Sequence, residues 1–467
     1  MEWIDAATAA ERLGVKPATL YAYVSRGLLT RRHGDDRRSL FEAGEIERLA
    51  RRGRPRGQPP ELVVESGVTA LGLDRPYYRG RDALGLARTA GFEAVAEWLW
   101  SGDPSVLSVV PPDGSSPDGV PVQAVWQCEP EALRATVQAQ RGLPADLSPL
   151  DRLQVITTVL GASDSLRHQL DPVSVAATGR RLIAGLVDAL PPAANPPASD
   201  PPASGPLTAG PPASGPPAAG PPAEDPLPDL PPAGPLTAGP PGGGPGEGRV
   251  AERLWARLCP RPATPALLAA LDAALVLLAD HELAASTLAA RVAASARADP
   301  YAVVLTGLGV LGGPLHGGAS YGAERLLAEV TEPERAARVI ADRVRRGERI
   351  PGFGHSVYKN GDARGDLLLT LVQEAAPGHD RLAAAQAVLG EVRRRRLPER
   401  NVDFALAALT AVAGMVPGAG EAIFAVARTA GWLAHAMEEY EKGSLLRLRA
   451  SYTGPPPERA PVHPAAT

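Results

Sequence analysis

The chain has 467 residues, enough for about three domains of roughly 100 to 200 residues each, and 44% of it is hydrophobic, which supports buried cores. A formal net charge of −4 excludes a whole-chain attraction to nucleic acid or to anionic membranes, so any basic surface has to be local. Met1 to Gly14 carries acids without an apolar signal region, and no run approaches the ~20 apolar residues that span a bilayer, so a cytoplasmic location is expected.

Residues 2 to 57 read as a small unit of their own. Thr8 to Leu13 and Pro17 to Tyr23 form two short helices about a Gly14-Val15 turn, with Pro17 in the opening turn of the second, where its missing N–H costs little. Ala9, Leu13, Val15, Leu20 and Val24 would close a miniature core. Arg31-Arg32, Arg37-Arg38 and the run Arg48 to Arg56 supply basic surface; up to Gly57, twelve Lys or Arg stand against eight Asp or Glu. The segment resembles the MerR-like or excisionase-like winged helix-turn-helix, with Gly27-Leu28-Leu29 leading into the wing. That resemblance implies either DNA binding or a docking module.

From Pro59 to about Leu190 the pattern is one of amphipathic helices, with Phe92, Val95, Ala96, Leu99 and Trp100 at helical spacing in the segment Tyr77 to Asp103. Cys128 and Cys259 lack CxxC spacing and read as ordinary buried or half-buried thiols. Residues 191 to 248 break the pattern, repeating Pro-Pro-Ala-Ser-Gly and Gly-Pro-Leu-Thr-Ala-Gly units with almost no large apolar residue. A disordered or extended insertion is expected there, between the helices Ser174 to Leu190 and Arg249 to Leu258. Further helices are expected at Ala266 to Ala279, Leu283 to Ala298, Tyr321 to Val330, Glu332 to Arg346, Asp366 to Ala375, Arg381 to Arg395, Asp403 to Ala413 and Gly420 to Glu441. No segment shows sustained alternation of β-branched residues, so the fold class is all-α, behind a small winged unit.

Three of the eight histidines stand in polar or Gly-rich settings: His281 in Asp280-His281-Glu282, His316 in Gly312 to Gly318, and His355 in Pro351 to Tyr358. Glycines let backbone approach a ligand, and the His316 loop opens into a helix whose N-terminus favours neutral imidazole. A neutral imidazole can donate to a carbonyl that is becoming an enolate. Lys359 and Arg364 follow His355 at short range and suit phosphate or carboxylate partners. Metal binding is disfavoured, since these histidines lie more than thirty residues apart and no HExxH or paired-cysteine spacing occurs. Neither GxGxxG after a strand nor GxxxxGK[ST] is present in context.

The strings Gly312 to Ser320 (GGPLHGGAS), Pro351 to Arg364 (PGFGHSVYKNGDAR) and Asn401 to Phe404 (NVDF) resemble, in order, the three active-site blocks of citrate synthases. Ala279 to Thr287, Ala427 to His435 and Arg447 to Gly454 support the match, which runs from about residue 62 to 454. The resemblance implies a large helical domain (58–190, 249–318 and 409–455) and a small one (319–408), with the site in the cleft between them, the 191–248 insertion within the large domain and a disordered tail at 456–467. It implies that Asp403 takes a methyl proton from acetyl-CoA, that His316 hydrogen-bonds the thioester oxygen, and that His355 polarises the ketone of oxaloacetate. His281, Arg364, Arg428 and Arg447 would hold oxaloacetate, Arg447 from the other subunit of a homodimer, and Lys359 would face CoA phosphates. No metal or permanently bound cofactor is implied; acetyl-CoA is a co-substrate.

Four departures from common family strings bear on substrate choice: Ser320-Tyr321 in place of Asn-Glu, Ser356 after His355, Ala284 where Asn is common, and Ala363 in place of Pro. Two other readings stay open: 2-methylcitrate synthesis from propionyl-CoA, and a DNA-binding regulator that senses CoA esters through a synthase-like fold.

Overall fold

The structure, a computed structural model, describes residues 3–13, 17–25, 28–33, 39–46, 63–107, 126–193, 248–359, 361–448 and 453–454. The chain divides into two compact units, 1–65 with 448–467, and 66–447.

In the first unit β1 (Trp3–Asp5), α1 (Ala6–Leu13), α2 (Pro17–Ser25), β2 (Arg31–His33) and β3 (Ser39–Glu42) follow in order, and the strands form an antiparallel sheet in the order β1-β3-β2. Ile4, Ala9, Leu20, Phe41 and Ile46 make its core, with Leu13 and Val24 packed against them. The Arg32 guanidinium lies 4.3 Å from the centre of the Trp3 ring. Val15, Gly27, Arg37-Arg38 and the basic run Arg48 to Arg56 lie outside the described residues.

The second unit opens with a feature the helical pattern did not suggest, a three-stranded antiparallel sheet of β4 (Thr69–Leu71), β5 (Pro76–Tyr78) and β6 (Arg81–Asp82). Its second turn is the two-residue Arg79-Gly80, both at positive φ (44° and 82°), the conformation that matches strand twist in a tight hairpin. The helices then follow: α3 (Ala83–Thr89), α4 (Phe92–Ser101), α5 (Pro130–Ala139), α6 (Pro149–Ser163), α7 (Pro172–Asp188), α8 (Val250–Leu258), α9 (Pro265–Leu278), α10 (Ala285–Ser295), α11 (Pro300–Leu311), α12 (Gly318–Glu329), α13 (Ala336–Arg345), α14 (Ala363–Ala375), α15 (Asp380–Arg394), α16 (Val402–Ala413) and α17 (Ala419–Lys442).

Four of these begin with the same device, an oxygen-bearing cap followed by proline at the first helical position: Ser148-Pro149, Asp171-Pro172, Thr264-Pro265 and Asp299-Pro300. The cap accepts N–H groups the helix cannot use, as Asp299 does from Tyr301 and Ala302 at 3.0 and 3.2 Å, and proline lacks the N–H that would be orphaned. Helix α11 is absent from the sequence expectations. It is apolar nearly all round, so it shows little amphipathic period, and Asp299-Pro300 is the signal that marks it. Gly307 makes room for a close neighbour there: a Cβ would meet the Trp432 ring at 2.6 Å.

Helix α17 runs through the core and is buried over nearly its whole length, packing against α9, α10 and α11. Helices α7 and α8, on either side of the Pro-rich tract, pack together through a buried ion pair in which Arg253 donates to both oxygens of Asp188 at 3.0 and 2.6 Å. The tract itself, 194–247, lies outside the described residues, as does the tail from 455. Cys259 is buried and Cys128 half-buried, both as free thiols. Among the described residues no helix is long and apolar enough to cross a membrane.

Candidate active site

His281 follows the end of α9, where the backbone is held from behind. The Tyr78 hydroxyl sits 3.0 to 3.2 Å from the carbonyls of Val276, Leu277 and Asp280. Asp280 is locked from the other side by α17. Arg291 on α10 can only donate, so His435 Nδ1 accepts from it at 2.7 Å, and the proton on Nε2 points to Asp280 Oδ2 at 3.3 Å. Glu282, next along, adopts a positive φ of 53°, which turns the chain sharply beside His281.

His281 Nε2 lies 2.9 Å from the Tyr358 hydroxyl, and its ring meets His355 edge to face with centres 5.3 Å apart. Tyr358 stacks on His355, centres 4.6 Å apart and planes at 19°. The loop 351–358 that carries both is shaped by Gly352 and Gly354, each at φ 82°. At Gly352 a side chain would run into Phe404 of α16. His355 Nδ1 accepts the N–H groups of Val357 and Tyr358 at 3.0 and 3.1 Å. With Nδ1 occupied as an acceptor, a neutral ring carries its proton on Nε2, where it can be donated to a substrate oxygen. Burial first and Arg364 second push His355 down to about 4, so it is neutral at physiological pH.

His316 sits in the loop between α11 and α12. Its Nε2 lies 2.7 Å from Ser286 Oγ, and Trp432 donates to the same oxygen at 3.2 Å. The indole N–H can only donate, so Ser286 Oγ accepts there and has its own proton free to give to Nε2, an arrangement that puts the imidazole proton on Nδ1. His316 is also pushed down to about 4; burial is the main cause and Arg428 the second, where the sequence reading had invoked the helix terminus.

Asp403 is the second residue of α16. Asn401 caps that helix, its Oδ1 accepting the Asp403 N–H at 3.0 Å, and Ser320 Oγ donates to Asp403 Oδ1 at 2.5 Å. Burial pushes the carboxyl up to about 6, against the Ser320 hydrogen bond and the nearby guanidinium groups of Arg364 and Arg428. A carboxylate in that range is matched to proton abstraction near neutral pH.

The two arginines differ. Arg364 is buried and spends Nε and one terminal nitrogen on Asp362, both at 2.9 Å. Arg428 donates Nε to the Leu278 carbonyl at 2.8 Å and lies over the Phe424 ring at 4.7 Å, while its buried NH1 has no partner. Burial lowers Arg428 to about 10. A buried, unpaired guanidinium nitrogen is costly unless an anion arrives, so this atom is a ready-made half of a carboxylate clamp.

Residues 241–449 match the family model described as "Citrate synthase, C-terminal domain". The chain is 38% identical over 212 residues to citrate synthase 2 of Bacillus subtilis, covering 44% of this chain and 56% of that protein. It is 34% identical over 195 residues to 2-methylcitrate synthase of Shewanella oneidensis, covering 40% and 51% respectively. The chain thus spans about half the length of the curated relatives it matches. Two solved structures are similar over most of the chain. Citrate synthase from Thermotoga maritima has a TM-score of 0.59 at 22% identity, covering 87% of this chain and 98% of that one. Citrate synthase from Thermoplasma acidophilum, in a ternary complex with carboxymethyl coenzyme A and oxaloacetate, has a TM-score of 0.60 at 22% identity, covering 87% and 97%.

The chain has the citrate synthase fold.

Within that fold, six of the eight residues picked from sequence converge: His281, His316, His355, Asp403, Arg364 and Arg428 act on one another electrostatically or through ring contacts. Lys359 is exposed at the edge of this group, its Nζ donating to the His355 carbonyl at 3.3 Å and its charge acting on His355, and Arg447 is exposed at the end of the unit. Sequence reading gave no role to Ser286, Ser320, Tyr358, Asp362, Trp432 or His435. Tyr358 and Asp362 lay inside the quoted His355 block, and polarity at fixed distance from the histidine was the available signal. Ser286 and Trp432 meet only through the packing of α10 on α17. Among the described residues no group of three His, Cys, Asp or Glu side chains is arranged to hold a metal ion.

Proposed function

We propose that the chain condenses acetyl-CoA with oxaloacetate and water to give citrate and CoA. The observation that carries this reading is the pairing of a carboxyl raised to about 6, Asp403, with two imidazoles, His316 and His355, that are held neutral with one N–H each left to donate. Asp403 takes a proton from the thioester methyl group while His316 Nδ1–H hydrogen-bonds the thioester oxygen, giving an enolate held by that bond. The enolate carbon attacks the ketone carbon of oxaloacetate, and His355 Nε2–H gives its proton to the ketone oxygen. Water then cleaves the thioester of the condensed product, releasing CoA. Arg428 and Arg364 hold the dicarboxylate, with His281 beside the ketone. Each positioned acid or base contributes about 10² to 10⁴ in rate.

The site lies in a cleft between a large domain (58–190, 249–318 and 409–455) and a small one (319–408). Arg447, exposed in the single chain, completes the clamp from a second copy, so the working form is a homodimer. Lys359 faces the CoA phosphates. Propionyl-CoA is the competing acyl donor, and similarity to both citrate and 2-methylcitrate synthases supports either; one methylene is worth only ~1 to 3 kcal/mol of discrimination.

The test is release of free CoA from oxaloacetate with acetyl-CoA or propionyl-CoA. Turnover with acetyl-CoA at the higher kcat/KM supports the reading, and absence of turnover with both overturns it. Mixing Arg447→Ala with Asp403→Ala protein tests the shared site: restored activity in the mixture is expected, and none if each copy is self-contained.

A further inference from the structure

We infer that Ser320 is the positioning residue for Asp403: its hydroxyl holds Oδ1 of the carboxylate and leaves Oδ2 as the oxygen that takes up the substrate proton. This rests on the reading of Asp403 as the base.

Ser320 is the third residue of α12, 1% exposed, and its own N–H is bonded to the Gly317 carbonyl at 2.9 Å. Its Oγ reaches across to Asp403 Oδ1 at 2.5 Å, a contact between groups 83 positions apart in sequence. The loop that leads into α12 folds back tightly on the end of α11, which Gly317 and Gly318 permit. A Cβ at Gly318 would lie 2.9 Å from the Gly313 carbonyl oxygen, and one at Gly317 would lie 2.6 Å from Leu311. On the other side, Asn401 fixes the first turn of α16 by accepting the Asp403 N–H. Two helix starts therefore meet at Asp403, Ser320 bonding its carboxylate and Asn401 its backbone N–H. His316 lies four residues before Ser320 in the loop that opens the same helix, so this contact ties the imidazole over the thioester oxygen to the carboxylate beside the methyl group.

A serine hydroxyl has one proton and can give it to one oxygen only. Given to Oδ1, it fixes which oxygen stays free and favours the ionised carboxylate. The charged groups that also act on Asp403 are Arg364 and Asp362 at the start of α14 and Arg428 on α17. Among the hydrogen bonds formed by described residues, Ser320 makes the side-chain contact to the carboxylate itself. Serine stands here where asparagine is frequent in the strings this segment resembles, and its side chain is buried.

The experiment uses the full chain as wild type, Ser320→Ala, Ser320→Cys and Ser320→Thr. Asp403 is titrated directly by carbon-13 NMR of protein labelled at the aspartate carboxyl, with Asp403→Asn assigning the resonance, and kcat is followed against pH. In Ser320→Ala both the Asp403 titration and the acid limb of kcat should move up by about one to two pH units. The KM for oxaloacetate should change by less than about twofold, because Ser320 touches none of the groups that hold it. Ser320→Cys, which keeps the volume with a much weaker donor, should move in the same direction, and Ser320→Thr should return towards wild type. An Asp403 titration at the wild-type pH in both Ala and Cys variants overturns the assignment. A titration that moves in a protein that releases no CoA would instead leave Ser320 in place and remove the condensation reading.

Discussion

Tyr358 touches two histidines at once: its hydroxyl lies 2.9 Å from His281 Nε2 and its ring is stacked on His355. The two contacts separate by mutation. Tyr358→Phe keeps the stack and removes the hydroxyl, leaving a buried imidazole nitrogen without its partner, a loss of about 1 to 3 kcal/mol. The KM for oxaloacetate is expected to rise about tenfold with kcat reduced less, as steady-state kinetics with both substrates will read. An unchanged KM removes the Tyr358 hydroxyl from the pocket.

The pH profile follows from the three shifted groups. Asp403 acts as a base only when ionised, and its carboxyl is raised to about 6, so activity should climb as pH rises through that value. His316 and His355 act as donors when neutral and are lowered to about 4, so neither limits the rate above pH 5. From pH 5 to pH 7 kcat/KM should therefore increase about tenfold and then level off. A second rising limb near pH 7 would mean that one histidine is charged in the resting enzyme.

Stability moves the opposite way from activity at Asp403. Its folded value is raised above 3.8, so the folded state prefers the protonated carboxyl; that contribution is present below about pH 4 and lost as pH rises through about 6. At pH 7 the ionised group is a burden with a ceiling of about 3 kcal/mol. Asp403→Asn should accordingly lower kcat by at least about 10³ and raise Tm at pH 7, with the Tm gain shrinking towards pH 4. Thermal melts at the two pH values check the sign.

Arg428 offers a ligand-linked test. Its unpaired NH1 finds a partner when a dicarboxylate binds, so oxaloacetate should raise the Tm of the wild type. Arg428→Met should abolish that increment and raise the KM for oxaloacetate by roughly 10² or more, since a charge-assisted bond is lost. Oxaloacetate stabilising the variant as strongly as the wild type would place the dicarboxylate elsewhere.

The buried pair Asp188–Arg253 should dominate the joint between α7 and α8. Asp188→Ala leaves a guanidinium buried without its counter-ion and should cost about 3 to 5 kcal/mol, while the double variant Asp188→Leu with Arg253→Leu should recover most of that loss. Chemical denaturation of the three proteins measures both steps. Equal losses in the single and double variants would show that the pair is not what the joint depends on.

Much of this protein is legible in the linear chain, for local reasons. Caps such as Ser148-Pro149, Asp171-Pro172 and Asp299-Pro300 act within three residues and mark helix starts locally, a signal the helical periodicity left unused, while the Gly-rich settings of His316 and His355 announce backbone approach. The hairpin Thr69 to Asp82 and helix α11 escaped because their pattern is decided by what covers them: three strands of two or three residues are too short to alternate visibly, and α11 is apolar on nearly every face. The chemistry divides in the same way. Residue types and their Gly-rich or polar settings nominated His281, His316, His355 and Arg364, and the family resemblance added Asp403 and Arg428. Tertiary packing alone decided that His355 loses its charge, that burial is what keeps His316 neutral, that Asp403 keeps its proton up to about pH 6, and that Arg428 has a nitrogen to spare. Desolvation depends on the atoms that surround a group, and those atoms come from helices far apart along the chain.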